Sequence, residues 1–264
     1  MDRLLDAAPI EGAQVAERVT AGGGVSWWRS GARIYGYGPR HRLDALCWMG
    51  TNLIPVGAGP EAAAAFAELA AGAPRRCSSM VGPADAVLDM WARLESVWGK
   101  ARDVRGCQPL LLTDTPAPVP PDPAVRLVEP HELDLLFPAA VAMYTEEVGI
   151  SPLLDGGGAG YRDRVSELVR ARRAYARIEQ GRVLFKAELA VVTRHTAQVQ
   201  GVWVAPAWRG LGLGAAGIAA VVADGLRRVA PTISLYVNDF NTGARRVYAR
   251  CGFRQVGTFA TVLF

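Results

Sequence analysis

Val202-Trp203-Val204-Ala205-Pro206-Ala207-Trp208-Arg209-Gly210-Leu211-Gly212-Leu213-Gly214 reads as a β-strand that breaks at Pro206, crosses a short glycine-rich loop and enters an apolar helix. A helix start leaves its first N–H groups without intrahelical acceptors, its dipole favours negative charge, and glycines let a ligand come close to the backbone. The stretch is therefore suited to a pyrophosphate. Arg209 adds a fixed positive charge at the mouth of the loop.

Downstream, Ile218, Val221, Val222, Leu226 and Val229 mark one face of the helix, and Pro231 stops it. Ile233, Leu235 and Val237 alternate with Ser234 and Tyr236 in a strand, and Asn241 is placed to cap a short helix that ends at Gly252. On that helix Ala244, Val247, Tyr248 and Cys251 share a face that points inward, while Arg245, Arg246 and Arg250 face water. Taken alone, Tyr248 reads as a core residue with a satisfied hydroxyl. Gly257 to Phe264 is a closing strand.

Upstream, Gln198 to Val204, Val183 to Val191 and Ala174 to Ile178 read as three strands, joined by hairpin turns at Glu179-Gln180-Gly181 and Thr193-Arg194-His195, where His195 is expected to be exposed. Before them come a short strand, Val125 to Val128, a helix from His131 to Val148 with Pro138 inside it, a glycine-rich loop from Ile150 to Gly160, and a second helix from Tyr161 to Ala171. Residues 114–124, Asp-Thr-Pro-Ala-Pro-Val-Pro-Pro-Asp-Pro-Ala, favour an extended, semi-rigid linker. The chain thus divides into residues 1–113, a linker at 114–124, and residues 125–264.

The N-terminal part is mixed α/β as well. Ala13 to Val19, Glu61 to Ala71 and Ala84 to Trp98 read as helices; Arg33 to Tyr37, Ala45 to Trp48, Cys77 to Val81 and Pro109 to Leu112 read as strands. Gly22-Gly23-Gly24 and Gly57-Ala58-Gly59-Pro60 read as turns rather than phosphate cradles. The Trp27-Trp28 pair reads first as core; exposed, it would suit a cover over a pocket, a surface for a protein partner or an oligomer interface such as that of a homodimer.

Composition narrows the remaining classes. Half of the 264 residues are apolar and a fifth are charged, which marks a globular chain. No apolar run reaches the roughly 18 to 20 residues of a membrane span, and the N-terminus lacks a basic region followed by an apolar one, so a cytoplasmic protein is expected. Four cysteines, Cys47, Cys77, Cys107 and Cys251, lie far apart and only three histidines are present; no metal site or disulfide framework is indicated, and the thiols are expected to fill the core. Residues 1–124 hold 12 basic and 13 acidic side chains, and residues 125–264 hold 17 and 12. The excess reads either as a solvated surface or as an attraction for a polyanion. Nucleic acid is the weaker candidate because no recognition motif accompanies it.

The strand and Arg209-x-x-Gly212-x-Gly214, followed by Asn241-x-x-Ala244-x-x-x-Tyr248-x-x-x-Gly252-Phe253, resemble the GNAT superfamily of acyl-CoA-dependent N-acetyltransferases, and the order of elements from Val125 to Phe264 is similar to that fold. The whole chain also resembles bacterial proteins in which this domain follows an N-terminal domain of unassigned function, through Asn52-Leu53-Ile54-Pro55-Val56, Ser78-Ser79-Met80-Val81-Gly82-Pro83 and Gln108-Pro109-Leu110-Leu111. The fold class implied is α/β with a mixed sheet: a C-terminal acyltransferase domain behind a second, smaller mixed α/β domain, readable as a degenerate copy of the same fold.

The resemblance implies acetyl-CoA as co-substrate, no metal, and an amine of a small molecule or protein as acceptor. Backbone N–H groups of Arg209, Gly210, Leu211, Gly212, Leu213 and Gly214 would hold the pyrophosphate, and the strand at Trp203 and Val204 would pair with the pantetheine amides. Asn241 would touch the pantetheine arm or simply cap its helix. Tyr248 would be the general acid for the departing thiolate, and a backbone N–H near Trp203 would stabilise the oxyanion. Where many relatives carry a glutamate base this chain has Gln198, so Glu188, Glu146, Glu147 or a water chain is left to take the proton. A catalytically silent acyl-CoA-binding module is the alternative that Gln198 keeps open.

Overall fold

The computed structural model describes residues 1–21, 31–156 and 158–264. The turn expected at Gly22–Gly24 and the Trp27-Trp28 pair lie outside the described residues. The chain forms two compact units: the first gathers Met1–Leu111, Tyr236–Thr242 and Gln255–Phe264, the second Leu112–Leu235 and Gly243–Arg254.

In the first unit, helices α1 (Asp2–Ala7) and α2 (Ala13–Ala21) precede strands β1 (Arg33–Tyr37), β2 (Ala45–Met49) and β3 (Asn52–Val56). Helix α3 (Pro60–Ala71), strand β4 (Ser79–Pro83), helix α4 (Ala84–Trp98) and strand β5 (Asp103–Thr113) follow. The closing strand β11 (Arg254–Leu263) joins the same sheet, whose order is β1-β2-β3-β4-β11-β5. Alternation decides the two faces. Ala45 and Cys47 pack with Ala63 and Phe66 of α3 and with Met90 and Leu94 of α4, whereas Leu46 and Trp48 pack with Leu5 and Val15 of α1 and α2. Cys107 departs from expectation: it lies on the outer part of β5 and is exposed, while Cys47, Cys77 and Cys251 are buried.

The second unit begins with β6 (Arg126–Leu127), helices α5 (Leu133–Val148) and α6 (Gly158–Arg170), and strands β7 (Ala174–Glu179), β8 (Arg182–Val192) and β9 (Ala197–Val204). Helix α7 (Leu213–Arg228), strand β10 (Ile233–Tyr236) and helix α8 (Thr242–Arg250) complete it, with sheet order β10-β9-β8-β7-β6. The β7–β8 turn is held by left-handed Gln180 and Gly181, with φ of 48° and 72°, the pair of positive values a type I′ hairpin requires. His195, in the β8–β9 turn, is half-buried rather than exposed, and its Nε2 accepts from Arg194 Nε at 3.0 Å.

Ala174 and Ala176 of β7 join Leu136, Ala140, Val165 and Leu168 of α5 and α6 in one cluster. Between them Tyr175 turns the other way, and its hydroxyl donates to Asp224 of α7 at 2.8 Å. Helices α5 and α6 therefore cover one face of the sheet and α7 the opposite one. At Gly217 of α7 a Cβ would stand 2.7 Å from the ring of Phe185, which is fully buried on β8. Gly217→Ala is expected to destabilise the protein by about 1–3 kcal/mol, read by urea unfolding, because a full core has no room for the methyl. An unchanged midpoint would mean that the ring can yield.

Residues 112–124 belong to the second unit. Asp122, only 9% exposed, fixes them: its N–H donates to the Ala216 carbonyl of α7 at 3.0 Å, and its carboxylate meets Arg177 at 2.9 Å and the Ala124 N–H at 2.9 Å.

A pattern recurs in the two units. β3 and β4 run parallel over two pairs, Asn52↔Ser79 and Leu53↔Met80, with α3 crossing between them; β9 and β10 run parallel over two pairs, Ala197↔Ile233 and Gln198↔Ser234, with α7 crossing between them. A helix and a strand then follow in each case, α4 with β5 and α8 with β11.

Candidate functional site

The site grows from an irregularity in β9. Phe185 and Lys186 of β8 pair with Val204 and Trp203, but Glu188 pairs with Gln200, so two steps along β8 match three along β9. The extra residue is taken up as a β-bulge at Gly201, whose φ is +59°. Only glycine adopts this region without strain. Among the described residues β10 pairs with β9 no further than Gln198, so the backbone from Gly201 to Val204 is an open strand edge beyond the bulge.

That edge runs into the glycine loop. Gly210 and Gly212 have φ of 78° and 87°, and a Cβ at either would meet nothing within 4 Å, which leaves open space beside the loop. Gly212 is the N-cap of α7, and the first carbonyl bonds of the helix are those from Ala215 and Ala216 to Gly212 at 3.1 and 3.2 Å. The N–H groups of Leu213 and Gly214 precede that bonding and have no acceptor inside the helix. Leu213 is buried and Leu211 is 71% exposed, so the loop alternates between anchoring and presenting its residues.

Arg209 orders the loop. Its Nε donates to the Val204 carbonyl at 2.9 Å, and its terminal nitrogen bridges to Glu146 of α5 at 2.8 Å. The same carboxylate accepts the indole N–H of Trp203 at 3.0 Å. Glu146 thereby ties α5, the end of β9 and the glycine loop together. Both members of the ion pair are about half exposed, so the bond contributes orientation more than stability.

Helix α8 packs against the start of α7. Val247 lies beside Gly214, whose Cβ would stand 3.8 Å from its methyl, and the Cys251 thiol donates to the Ala215 carbonyl at 3.4 Å. Burial pushes the Cys251 thiol up to about 11, against the partly compensating charge of Arg250. Tyr248 is 6% exposed and its ring meets Phe253 edge-on, with centroids 5.8 Å apart. Its hydroxyl has no hydrogen-bond partner among the described residues. Burial, reinforced by Glu147 and Cys251, holds its pKa well above the ordinary phenol value. The group is a stable proton donor at neutral pH.

The remaining expected residues fall in different surroundings. Glu188 is held by the ammonium of Lys186 at 3.0 Å. Gln198 is fully buried, and its amide oxygen accepts from Gln200 at 3.0 Å. Asn241 falls in the first unit, where its N–H donates to the Asn238 carbonyl at 3.0 Å. Sequence reasoning missed Lys186 and the bulge at Gly201; a lone lysine inside an apolar strand was the available signal.

The loop between β3 and α3, which occupies the same place in the first unit, is built differently. Gly59 is the N-cap, Pro60 takes the first helical position and Glu61 lies in the first turn. Proline removes one N–H, and the carboxylate opposes any anion. Among the described residues no group of three or more His, Cys, Asp or Glu side chains could hold a metal, and no helix is long and apolar enough to cross a membrane.

An open edge beyond a bulge, a glycine loop at a helix start and a buried tyrosine on the following helix are thus brought together in the second unit. Residues 159–253 match the model of the acetyltransferase (GNAT) family, and residues 32–136 match that of a domain of unknown function, DUF4081. Two family models thus match successive parts of the chain, DUF4081 first and the GNAT acetyltransferase family second, and neither spans half of it. No curated protein matches it. Among solved structures, a GNAT-family acetyltransferase from Colwellia psychrerythraea is 13% identical with a TM-score of 0.57, covering 100% of this chain and 97% of that one. A GCN5-related N-acetyltransferase from Kribbella flavida is 19% identical with a TM-score of 0.58 over 97% and 95%. A Drosophila protein is 13% identical with a TM-score of 0.65 over 100% and 95%. These likenesses show the fold, a mixed α/β architecture shared along essentially the full length.

Proposed function

We propose that the protein transfers an acetyl group from acetyl-CoA to a primary amine of a small molecule or protein. The observation that carries this reading is the open edge from Gly201 to Val204 leading directly into the free N–H groups at the start of α7. Pantetheine amides would add to that edge as a strand does, and the pyrophosphate would sit over Gly210 to Gly214. The amine nitrogen attacks the thioester carbonyl carbon, a backbone N–H near Trp203 receives the oxyanion, the C–S bond breaks, and Tyr248 delivers a proton to the sulfur. Glu188 is committed to Lys186, so we assign the amine's proton to Glu147, an exposed carboxylate whose charge acts on Tyr248.

On this reading the transfer chemistry resides in residues 125–264, with 114–124 as the connection, and residues 1–113 bind no second acetyl-CoA because Pro60 and Glu61 replace donors with a missing N–H and a negative charge. The test is a full-length preparation given acetyl-CoA and a panel of amines: amino acids, polyamines and peptide N-termini. Calorimetry is expected to give one acetyl-CoA per chain, and at least one amine is expected to release free thiol. Binding without release for any amine would favour the silent module that Gln198 keeps in view. No binding would end both readings.

A further inference from the structure

Of the 29 basic residues in the chain only Lys100 and Lys186 are lysines, and Lys186 is 1% exposed. An ammonium is costly to bury unless it is paired and bonded. Its Nζ donates to Glu188 Oε2 at 3.0 Å, and the Glu188 side chain is itself only 16% exposed. The two stand two residues apart on β8 and so share a face, the one covered by α5 and α6, because their cross-strand partners are Ala176 and Ala174.

The pair faces the bulge. A Cβ at Gly201 would lie 2.9 Å from Lys186 Nζ, 2.9 Å from Glu188 Cδ and 3.0 Å from Glu188 Oε2. The ion pair fills the volume that a side chain at position 201 would need, and Lys186 and Glu188 are also the residues between which the register slips. Resting on the acetyltransferase reading, we propose that Lys186 is a positioning residue: with Glu188 it holds the Gly201 bulge and so fixes the Val202–Val204 edge against the thioester. Lysine serves here where arginine does not, because its head is compact and the space below the bulge is small.

Four variants test this, the first three being Lys186→Met, Lys186→Arg and Gly201→Ala. For each of these three, hydrogen exchange of the 199–204 amides is expected to accelerate while the α7 amides stay protected. With an amine that gives thiol release, kcat is expected to fall about 100-fold, since displacement by about 1 Å costs that much. The acetyl-CoA dissociation constant should stay near that of the parent, because the loop at 209–214 holds the pyrophosphate. Glu188→Gln, which keeps volume and one acceptor, should lie between parent and Lys186→Met in both readouts. Parent-like exchange at 199–204 in folded Lys186→Met and Glu188→Gln overturns the proposal whether or not transfer activity is found. If the parent neither binds acetyl-CoA nor releases thiol, the functional reading fails while the exchange experiment still decides the role of Lys186. Parallel loss of binding and turnover, with general loss of protection, would show a role in overall stability only and would also overturn it.

Discussion

Tyr248→Phe is expected to lower kcat about 100-fold, the low end of what general acid catalysis contributes, while leaving acetyl-CoA affinity unchanged. The aromatic ring stays, so its contact with Phe253 and the packing of α8 survive; only the hydroxyl is removed. That hydroxyl makes no hydrogen bond to any described residue, which is why its loss should cost little stability. A thiolate leaves tolerably without help, its parent thiol having a pKa of about 8.5, so residual turnover is expected. Because burial raises the phenol, the activity of the parent should show no alkaline decline near the ordinary tyrosine value of 10.0. Stopped-flow thiol release with saturating acetyl-CoA measures both effects. Parent-like kcat in the variant would remove Tyr248 from the reaction.

A fragment comprising residues 125–264 is expected not to form a cooperative, monomeric domain. The sequence invites that cut, but the fragment includes Tyr236–Thr242 and Gln255–Phe264, which belong to the first unit. β11 pairs with β4 from Phe259↔Pro83 to Leu263↔Ser79, and its Phe259, Ala260 and Val262 are buried there. Without β4 these residues become an exposed apolar strand edge, a template for aggregation. Size-exclusion chromatography and a circular dichroism melt of the fragment, beside the full chain, provide the measurement. A sharp transition from a monomeric fragment would show that β11 finds another partner.

The elements of the second unit were largely legible because their periods are clean: Ile218, Val221 and Val222 repeat at helical spacing and are fully buried, and the Glu179–Gly181 turn carries the residues its geometry needs. β3 was not, since Pro55 cannot donate to a ladder and argues against a strand; it is nevertheless opposite Cys47 in the β2–β3 pair. The destination of β11 was invisible for a different reason: alternation tells which face a strand buries, not which strand lies beside it. In the candidate site the loop was legible through its glycine spacing, whereas Tyr248, a core residue when taken alone, stood out only through the resemblance to the GNAT pattern. The contacts that aim them depend on the fold: Glu146 of α5 meets Arg209 and Trp203 from distant parts of the chain, and the Lys186–Glu188 pair meets Gly201 only through the slip between β8 and β9. A one-residue slip at Gly201 is a property of paired strands and has no signature in either strand alone.

The proline-rich stretch has one more consequence. With Asp122 bonded to α7, to Arg177 and to its own turn, and with Pro118 within 3.4 Å of where a Gly252 Cβ would stand, residues 114–124 are a strap laid on the second unit rather than a free tether. A protease seeking a nick between the halves of the chain would find the most obvious seam in the sequence held down. An engineer wishing to insert a tag or spacer there would be loosening the very helix whose first turn carries the glycine loop.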